Sequence, residues 1–492
     1  MAAGVLMGRR RVLSPPNVTR PDSAVRAARL SDLVPGAPNA EVSALAYDSR
    51  LVEPGALFFC VPGFEADGHD FADDAIRRGA AALVTERPLG LGVPEVVVPD
   101  ARAAMAPVAA RFYGDPSAEL DVVGITGTNG KTTTAYLLRE MLAASGRPCG
   151  MIGTVKTVVG EEERLGERTT PEAPELQRDL RDMADGGDRA CAMEVSSVGL
   201  ALHRVDAIHF AAAVLTNHTA DHLDFHGSME AYWAAKRSLF DRVAPEHVVV
   251  NADDERGRGL AAELPGATTF GAGHEADVRA LDVRTDPEGA RFDISFGRGD
   301  GTERVSVRSR LPGAYNVDNV LAAAATAHLL GAGATEIAEA ASAAAPPPGR
   351  LEPVDQGQPF TVVVDYAHSP DSVRRTLDLL REGADSRLIV VFGATGQRFA
   401  ATRREMGALA GARADLLIAS SDHPAKADPD SIRDILRGAG DHAEAIEDRR
   451  DAIARAIERA DRGDTVAILG GELPADDAAA ARTALQTLNR PA

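Results

Sequence analysis

Gly124-Ile125-Thr126-Gly127-Thr128-Asn129-Gly130-Lys131-Thr132-Thr133-Thr134 is the stretch that decides how this chain is read. The run before it, Asp121-Val122-Val123-Gly124-Ile125, has the character of a buried strand, and beyond it Leu137, Leu138, Met141 and Leu142 recur at helical spacing. A glycine-rich turn between a strand and a helix is the setting of a phosphate loop. Glycines let the backbone wrap phosphates, the helix N-terminus presents unpaired N–H groups, Lys131 can reach the terminal phosphates, and Thr132 can hold Mg2+. The strict spacing would put glycine where Ile125 stands, with Gly124 and Gly127 on either side, so the loop is a variant. Gly127, Thr128, Asn129, Gly130, Lys131, Thr132 and Thr133 are expected to bind ATP.

Working outward, strand-like runs alternate with helical stretches. Ala190-Cys191-Ala192-Met193, Ala212-Ala213-Val214-Leu215 and Val248-Val249-Val250 follow the loop, and such alternation predicts a mainly parallel sheet with helices on both faces. An alanine-rich helical tract stops at Pro346-Pro347-Pro348-Gly349, where successive prolines cannot continue a helix. Four further strands are expected at 361–364, 388–392, 416–418 and 466–469. Before the loop, Ala56-Leu57-Phe58-Phe59-Cys60-Val61 and Ala81-Ala82-Leu83-Val84, set between Pro-Gly turns, read as a small α/β unit. The expected class is therefore α/β with three domains: a small N-terminal α/β domain over 1–119, a central P-loop ATPase domain with a parallel sheet over 120–345, and a C-terminal Rossmann-like domain over 346–492.

The chain has 492 residues, enough for about three domains at roughly 150 residues each. Its formal net charge of −20 disfavours nucleic acid and anionic membranes as partners, so an anionic substrate must be held by local donors. Three scattered cysteines, Cys60, Cys149 and Cys191, write neither a disulfide framework nor a thiolate zinc site. No uninterrupted apolar run of about 18 residues predicts a membrane span. The opening segment, Met1–Pro16, lacks the apolar core of a secretory signal and reads as an extension. A cytoplasmic, monomeric protein is expected.

Two further segments carry candidate chemistry. Glu194, in Glu194-Val195-Ser196-Ser197, falls at a strand's carboxyl end, the edge where open α/β sheets bind ligands. The second, Leu215-Thr216-Asn217-His218-Thr219-Ala220-Asp221-His222-Leu223-Asp224-Phe225-His226-Gly227, also follows a strand. A hard cation between the ATP phosphates and Glu194 would suit that place. The spacing of His218, His222 and His226 also admits a zinc hydrolase, although no Glu occupies the general-base position and Gly227 interrupts the helix.

Together these motifs resemble the Mur ligase family, most closely its MurE type. The resemblance continues through Thr169-Thr170-Pro171-Glu172-Ala173-Pro174-Glu175, Ala234-Ala235-Lys236, Asn251-Ala252-Asp253-Asp254, Gly313-Ala314-Tyr315-Asn316-Val317-Asp318-Asn319, Pro348-Gly349-Arg350 and Val364-Asp365-Tyr366-Ala367-His368-Ser369-Pro370. It implies an ATP-dependent amide ligase that phosphorylates a substrate carboxylate, after which an amine displaces phosphate. It also implies catalytic roles for Lys131, Glu194, His222 and Lys236, with Lys236 carbamylated by CO2. Thr132, Glu194, His222 and Lys236 would be metal ligands for Mg2+, and Asn316, Asn319, Arg350 and Asp365 would complete the ATP site.

By the same resemblance the donor is a UDP-muramoyl dipeptide or a molecule built like it, held by Ser49, Thr169, Thr170, Ser196 and Arg204. The acceptor site departs from the family. Members using diaminopimelate carry Asp-Asn-Pro-Arg where this chain has Asp422-His423-Pro424-Ala425, which removes a bidentate carboxylate clamp. The usual Gly-Lys-Gly-His-Glu is shortened to Gly470-Gly471-Glu472, and Thr395-Gly396-Gln397-Arg398-Phe399 replaces Gly-Gly-Asp-Arg-Asp. Arg398, Asp422, His423 and Glu472 are the expected acceptor contacts, and the acceptor is expected to be an amine other than diaminopimelate. A ligase recruited to natural-product assembly and a non-catalytic nucleotide-binding scaffold are the alternatives.

Overall fold

The computed structural model describes residues 27–488 apart from 65, 167, 287, 299–301, 385, 395–399, 401, 423–428, 441–442 and 472. The polypeptide forms two compact units that divide between Ala101 and Arg102. In the first, the strands Ala44–Ala46, Ala56–Phe59, Ala82–Thr85 and Glu95–Val97 make a four-stranded parallel sheet, beside a two-stranded pairing of Ala28–Arg29 with Glu41–Val42. Every residue of Ala56–Phe59 is buried, as its unbroken apolar run requires.

The second unit contains two large sheets. Asp121–Thr126 runs through the larger, flanked by Ala190–Glu194 and Phe210–Leu215, all parallel. Side chains alternate across the strand: Val123 and Ile125 join the core beneath the helices Lys131–Ala144 and Ala314–Leu329, while Val122 joins the opposite core with Leu176 and Leu180. Helices therefore cover both faces, as the alternation predicted. The buried row Ala322, Ala323, Ala324, Ala325 and Ala327 gives the helix Ala314–Leu329 a small-residue surface toward its neighbours.

The sheet is longer and more mixed than the sequence pattern suggested. Beyond the parallel strands Val248–Asn251 and Thr268–Gly271, it continues through Val278–Asp286, Gly289–Phe296 and Glu303–Ser309, the last two joined antiparallel. At the other edge Cys149–Ile152 is followed by an antiparallel hairpin, Lys156–Val159 and Glu162–Leu165. The alanine-rich tract ends as the helix Ala334–Ala343, just before the proline run.

The smaller sheet has the order Glu352–Pro353, Thr361–Asp365, Thr465–Leu469, Leu388–Gly393, Leu416–Ser420 and Ala443–Ala445, parallel except for its first pair. Its four longer strands coincide with the four apolar runs read from the sequence. Among the described residues no helix is long and apolar enough to cross a membrane. Cys60, Cys149 and Cys191 are buried free thiols.

Candidate active site

Parallel pairing aligns the carboxyl ends of three strands, with Glu194 opposite Ile125 and Leu215 opposite Thr126. The phosphate loop therefore emerges between the Glu194 segment and the 216–226 loop. Gly127 and Gly130 take φ of 150° and 89°. At Gly130 a Cβ would lie 2.2 Å from Asn319 Oδ1, so glycine is required both for the left-handed turn and for the approach of the helix Ala314–Leu329. Lys131 opens its helix and donates to the carbonyls of Gly127 and Thr128 at 2.7 and 3.0 Å. Its ammonium thus lies over the loop that phosphates would fill.

Glu194 is 1% exposed, yet its carboxylate is well used. Oε1 accepts from Thr154 N at 2.8 Å, and Oε2 accepts from the hydroxyls of Thr132 and Thr154 at 3.0 and 3.1 Å. Arg350 Nη2 donates to the same Thr132 hydroxyl at 3.1 Å, and its guanidinium sits 5.0 Å from the Tyr366 ring centre. Gly153 closes the floor, since a Cβ there would lie 2.2 Å from Glu194 Oε1. The Thr132 hydroxyl and Glu194 carboxylate, expected to share a cation, are adjacent.

Lys236 lies in the helix Met229–Phe240 and is 1% exposed. The expectation for an isolated helix lysine is an exposed side chain; here the amine is enclosed. Nζ donates to Thr128 Oγ1 at 3.0 Å, lies 3.9 Å from the Tyr232 ring centre and is 3.5 Å from His218 Nδ1. Burial, reinforced by the charge of Lys131, holds the amine far below its usual pKa and so favours its neutral, nucleophilic form. His218 is pushed down to about 4 by burial, Lys236 and Arg256, and its buried Nε2 has no hydrogen-bond partner among the described residues. His222 adopts φ of 54° before the short helix Leu223–His226, with its ring 6.1 Å from the same Tyr232.

The three histidines do not share a helical face. His218 lies in the loop, His222 at the helix cap, and His226 at the last turn, bonded through Nε2 to Ser197 Oγ at 2.9 Å. Among the described residues, no three His, Cys, Asp or Glu side chains gather as a metal cage. This removes the geometry on which the zinc reading depended. The donor set fits Mg2+ only as a site completed from outside, since Glu194 offers one carboxylate and Thr132 one hydroxyl, and the remaining oxygens would have to come from bound ligands.

A cavity of about 90 Å3, open to solvent, lies beside the loop. Asn129, Gly130, Thr132, Thr133, Asn316, Asn319, Arg350 and Asp365 all contribute to its lining. Asp365 is fixed from behind, accepting from the backbone N–H groups of Leu351 and Ala367 at 2.8 and 2.9 Å, and burial raises its pKa. Asn319 Nδ2 donates to Asn316 Oδ1 at 2.9 Å.

The expected donor residues divide. Thr170 accepts from Ser196 N and donates to the carbonyl of Glu194, both at 3.0 Å, and Thr169 reaches Thr154, so these residues surround Glu194. Arg204 is already engaged by the Thr170 carbonyl at 2.9 Å and the Glu172 carboxylate at 2.7 Å. Ser49 lies in the first unit, buried, with its hydroxyl bonded to Asp74. Of the acceptor residues, Asp422 is buried at a strand end, while Arg398, His423 and Glu472 lie outside the described residues.

Sequence reasoning overlooked Gly153, Thr154 and Tyr232, and it gave Asn251 and Asp254 no task of their own. Asn251 Nδ2 donates to the Thr216 carbonyl at 2.9 Å and Asp254 Oδ2 accepts from His218 N at 2.9 Å, which fixes the loop carrying the histidines. The Asn251-Ala252-Asp253-Asp254 motif was legible; its positioning task was not.

Residues 41–113 match the Mur ligase family catalytic domain, 125–327 the Mur ligase middle domain, and 349–471 the Mur ligase glutamate ligase domain. A Geobacillus thermodenitrificans protein named UDP-N-acetylmuramoyl-L-alanyl-D-glutamate–2,6-diaminopimelate ligase is 43% identical over 445 residues, covering 88% of this chain and 90% of its own. A Streptomyces coelicolor protein of the same name is 42% identical over 467 residues, covering 91% and 92%. A solved structure of a ligase of that name superposes with a TM-score of 0.65 at 29% identity, covering 94% of this chain and all of its own. The MurF ligase of Thermotoga maritima in complex with ADP shares the fold, with a TM-score of 0.68 at 20% identity, covering 90% of this chain and 98% of its own.

Proposed function

Because this chain belongs to the Mur ligase family and is an ATP-dependent amide-bond ligase of MurE type, with that family's three-domain α/β fold, we propose that it activates the carboxylate of a UDP-muramoyl dipeptide and couples it to an amino acid. The observation that carries the assignment of roles is the convergence of Lys131, Thr132, Glu194 and buried Lys236 at one sheet edge. ATP occupies the cavity beside Asn316, Asn319, Arg350 and Asp365, with its phosphates in the loop Gly127–Thr133. Lys131 exchanges the carbonyls of Gly127 and Thr128 for phosphate oxygens. A carboxylate oxygen of the donor attacks the terminal phosphorus and ADP leaves; the amine then attacks the acyl carbon, loses a proton and expels phosphate.

Thr132 and Glu194 would hold one Mg2+, and His222 with a carbamate on Lys236 would hold another, supplying charge neutralisation for the transferring phosphoryl group. The depressed pKa of Lys236 supports the carbamate, since only a neutral amine attacks CO2. Thr169, Thr170, Ser196, Arg204 and Ser49 are assigned to the donor, and Arg398, Asp422, His423 and Glu472 to the acceptor. Functional domain limits are placed at 119/120 and 345/346, in a monomer working in the cytoplasm.

The relatives described above are named for diaminopimelate and lend no support to a different acceptor. The ground for one is Ala425, where family members using diaminopimelate carry arginine, together with the shortened Gly470-Gly471-Glu472. On that ground we assign an amine or amino-acid acceptor other than diaminopimelate. Phosphate release from ATP with UDP-muramoyl-L-alanyl-D-glutamate, across amino acids including diaminopimelate and lysine and with products identified by mass spectrometry, tests both claims. Efficient formation of the diaminopimelate product would sink the acceptor assignment; no UDP-tripeptide with any amine would sink the donor.

A further inference from the structure

We propose that Arg449 and Asp477 are positioning residues that set the acceptor-binding end of the C-terminal sheet, an inference that rests on the ligase reading above. Neither lines the ATP cavity. Arg449, 1% exposed, opens the helix Arg449–Glu458, and Asp477, 5% exposed, lies in the helix Pro474–Leu488. They meet in a two-point contact, Nε to Oδ1 at 3.1 Å and Nη2 to Oδ2 at 2.8 Å. A charged pair buried this completely is retained at a desolvation cost, so the use of its remaining donors is informative.

Those donors hold the ends of two strands. Nη2 donates to the Leu469 carbonyl at 2.9 Å, and Nη1 to Ser420 Oγ at 3.2 Å. Leu469 ends Thr465–Leu469 and Ser420 ends Leu416–Ser420, and these strands are not neighbours, because Leu388–Gly393 runs between them. One guanidinium therefore ties the two outer strands of a group of three at their carboxyl edge, the edge that binds ligands in open α/β sheets.

The backbones beyond are packed too closely for side chains. A Cβ at Gly470 would lie 2.1 Å from the Gly393 carbonyl oxygen, one at Gly393 would lie 2.8 Å from Asp422 N, and one at Gly471 would lie 2.0 Å from Asp477 Oδ2. Asp422 follows Ser420 by two residues and the Gly470-Gly471 turn follows Leu469 directly. The pair thus fixes where both segments leave the sheet, and with them the acceptor contact Asp422. Lysine cannot reproduce this role, because its single ammonium cannot hold a carboxylate at two points while serving two strand ends.

The test compares wild type, the Arg449→Met/Asp477→Leu double variant, which removes both charges together, and Arg449→Lys. Thermal melting and ADP binding are measured first. KM for ATP and for the amino acid that wild type ligates best, with kcat, are measured next. The expected result is a folded double variant with near-normal KM for ATP and a KM for the amino acid raised on the order of tenfold or more, with Arg449→Lys in between. An unchanged amino-acid KM in a folded variant, an equal rise in both KM values, or failure of both variants to fold would overturn the proposal. Wild type that ligates no amino acid would instead refute the ligase reading itself.

Discussion

Glu194→Gln should separate catalysis from stability. In the wild type the carboxylate accepts one backbone N–H, from Thr154, and two hydroxyls, from Thr132 and Thr154. The amide keeps a carbonyl oxygen for Thr154 N, while its NH2 faces two hydroxyls that can rotate to accept. Both have other partners: Thr132 already accepts from Arg350, and Thr154 Oγ1 lies 2.9 Å from Thr169 Oγ1. The hydrogen-bond count is preserved and only charge assistance is lost, a cost of about 1 kcal/mol offset by burying an amide in place of an anion. The melting temperature should move by no more than a few degrees. The effect on turnover is different in kind. A unit charge 4 Å from another is worth about 4 kcal/mol at an effective dielectric of 20, and roughly twice that against a divalent ion before water replaces part of it. A retained loss of about 3–4 kcal/mol corresponds to a turnover reduced about 10²–10³-fold. The assay is phosphate release at saturating ATP and donor across a Mg2+ titration, alongside thermal melting. Wild-type turnover with wild-type Mg2+ dependence would refute the placement of a cation at Glu194.

Lys236→Met should melt no lower than wild type, because a buried amine is removed, yet ligate almost nothing; CO2-free buffer should slow the wild type, added bicarbonate should restore it, and the variant should respond to neither. Gly130→Ala should weaken ATP binding and cost at least about 1–2 kcal/mol, since φ of 89° suits glycine and the new methyl would meet Asn319 at 2.2 Å; isothermal titration with ATP and a melting curve check both. His218 has an ordinary pKa of 6.5 and a folded value of about 4, so above pH 6.5 it contributes nothing, and as pH falls from about 6.5 to 4 the unfolded chain binds the extra proton and stability declines. His218→Leu should remove about 1–3 kcal/mol of that decline, discounted for the ring's partial exposure, visible as a flatter melting temperature between pH 6.5 and 4.

The loop residues were legible because their signal is local: a strand, a turn that only glycine allows, and a helix within twenty residues. Burial of Lys236 was not, because the groups that enclose it include Thr128, 108 residues away, and helical spacing around Ala234-Ala235-Lys236 reads the same on an exposed face. The strands Val278–Asp286, Gly289–Phe296 and Glu303–Ser309 were missed for another reason. They carry Arg279, Asp282, Arg284, Arg291, Asp293, Arg304 and Arg308 on half-solvated faces, so no apolar run marks them, and the buried alternation is broken into Val278 and Ala280, then Ala290, Phe292, Ile294 and Phe296, then Val307 and Ser309. Arg449 and Asp477 are invisible as a pair for the same reason as Lys236: chain distance hides what the sheet edge brings together.

The motifs that could be read one at a time are joined in the structure by a single hydroxyl. Thr128 Oγ1 accepts from Lys236 Nζ and Thr219 N, donates to the Thr219 carbonyl, each at 3.0 Å, and lies 3.2 Å from the Tyr232 hydroxyl. The carbonyl of the same residue accepts from Lys131. Phosphate arriving in the loop and drawing Lys131 away from that carbonyl therefore acts on the residue that also holds Lys236 and the 216–219 loop. The electrostatics link the same groups, because Lys131 is one of the charges that disfavour protonation of Lys236. A phosphate anion beside Lys131 would offset that charge, so nucleotide binding would be coupled to the protonation of Lys236 through the Thr128 contacts.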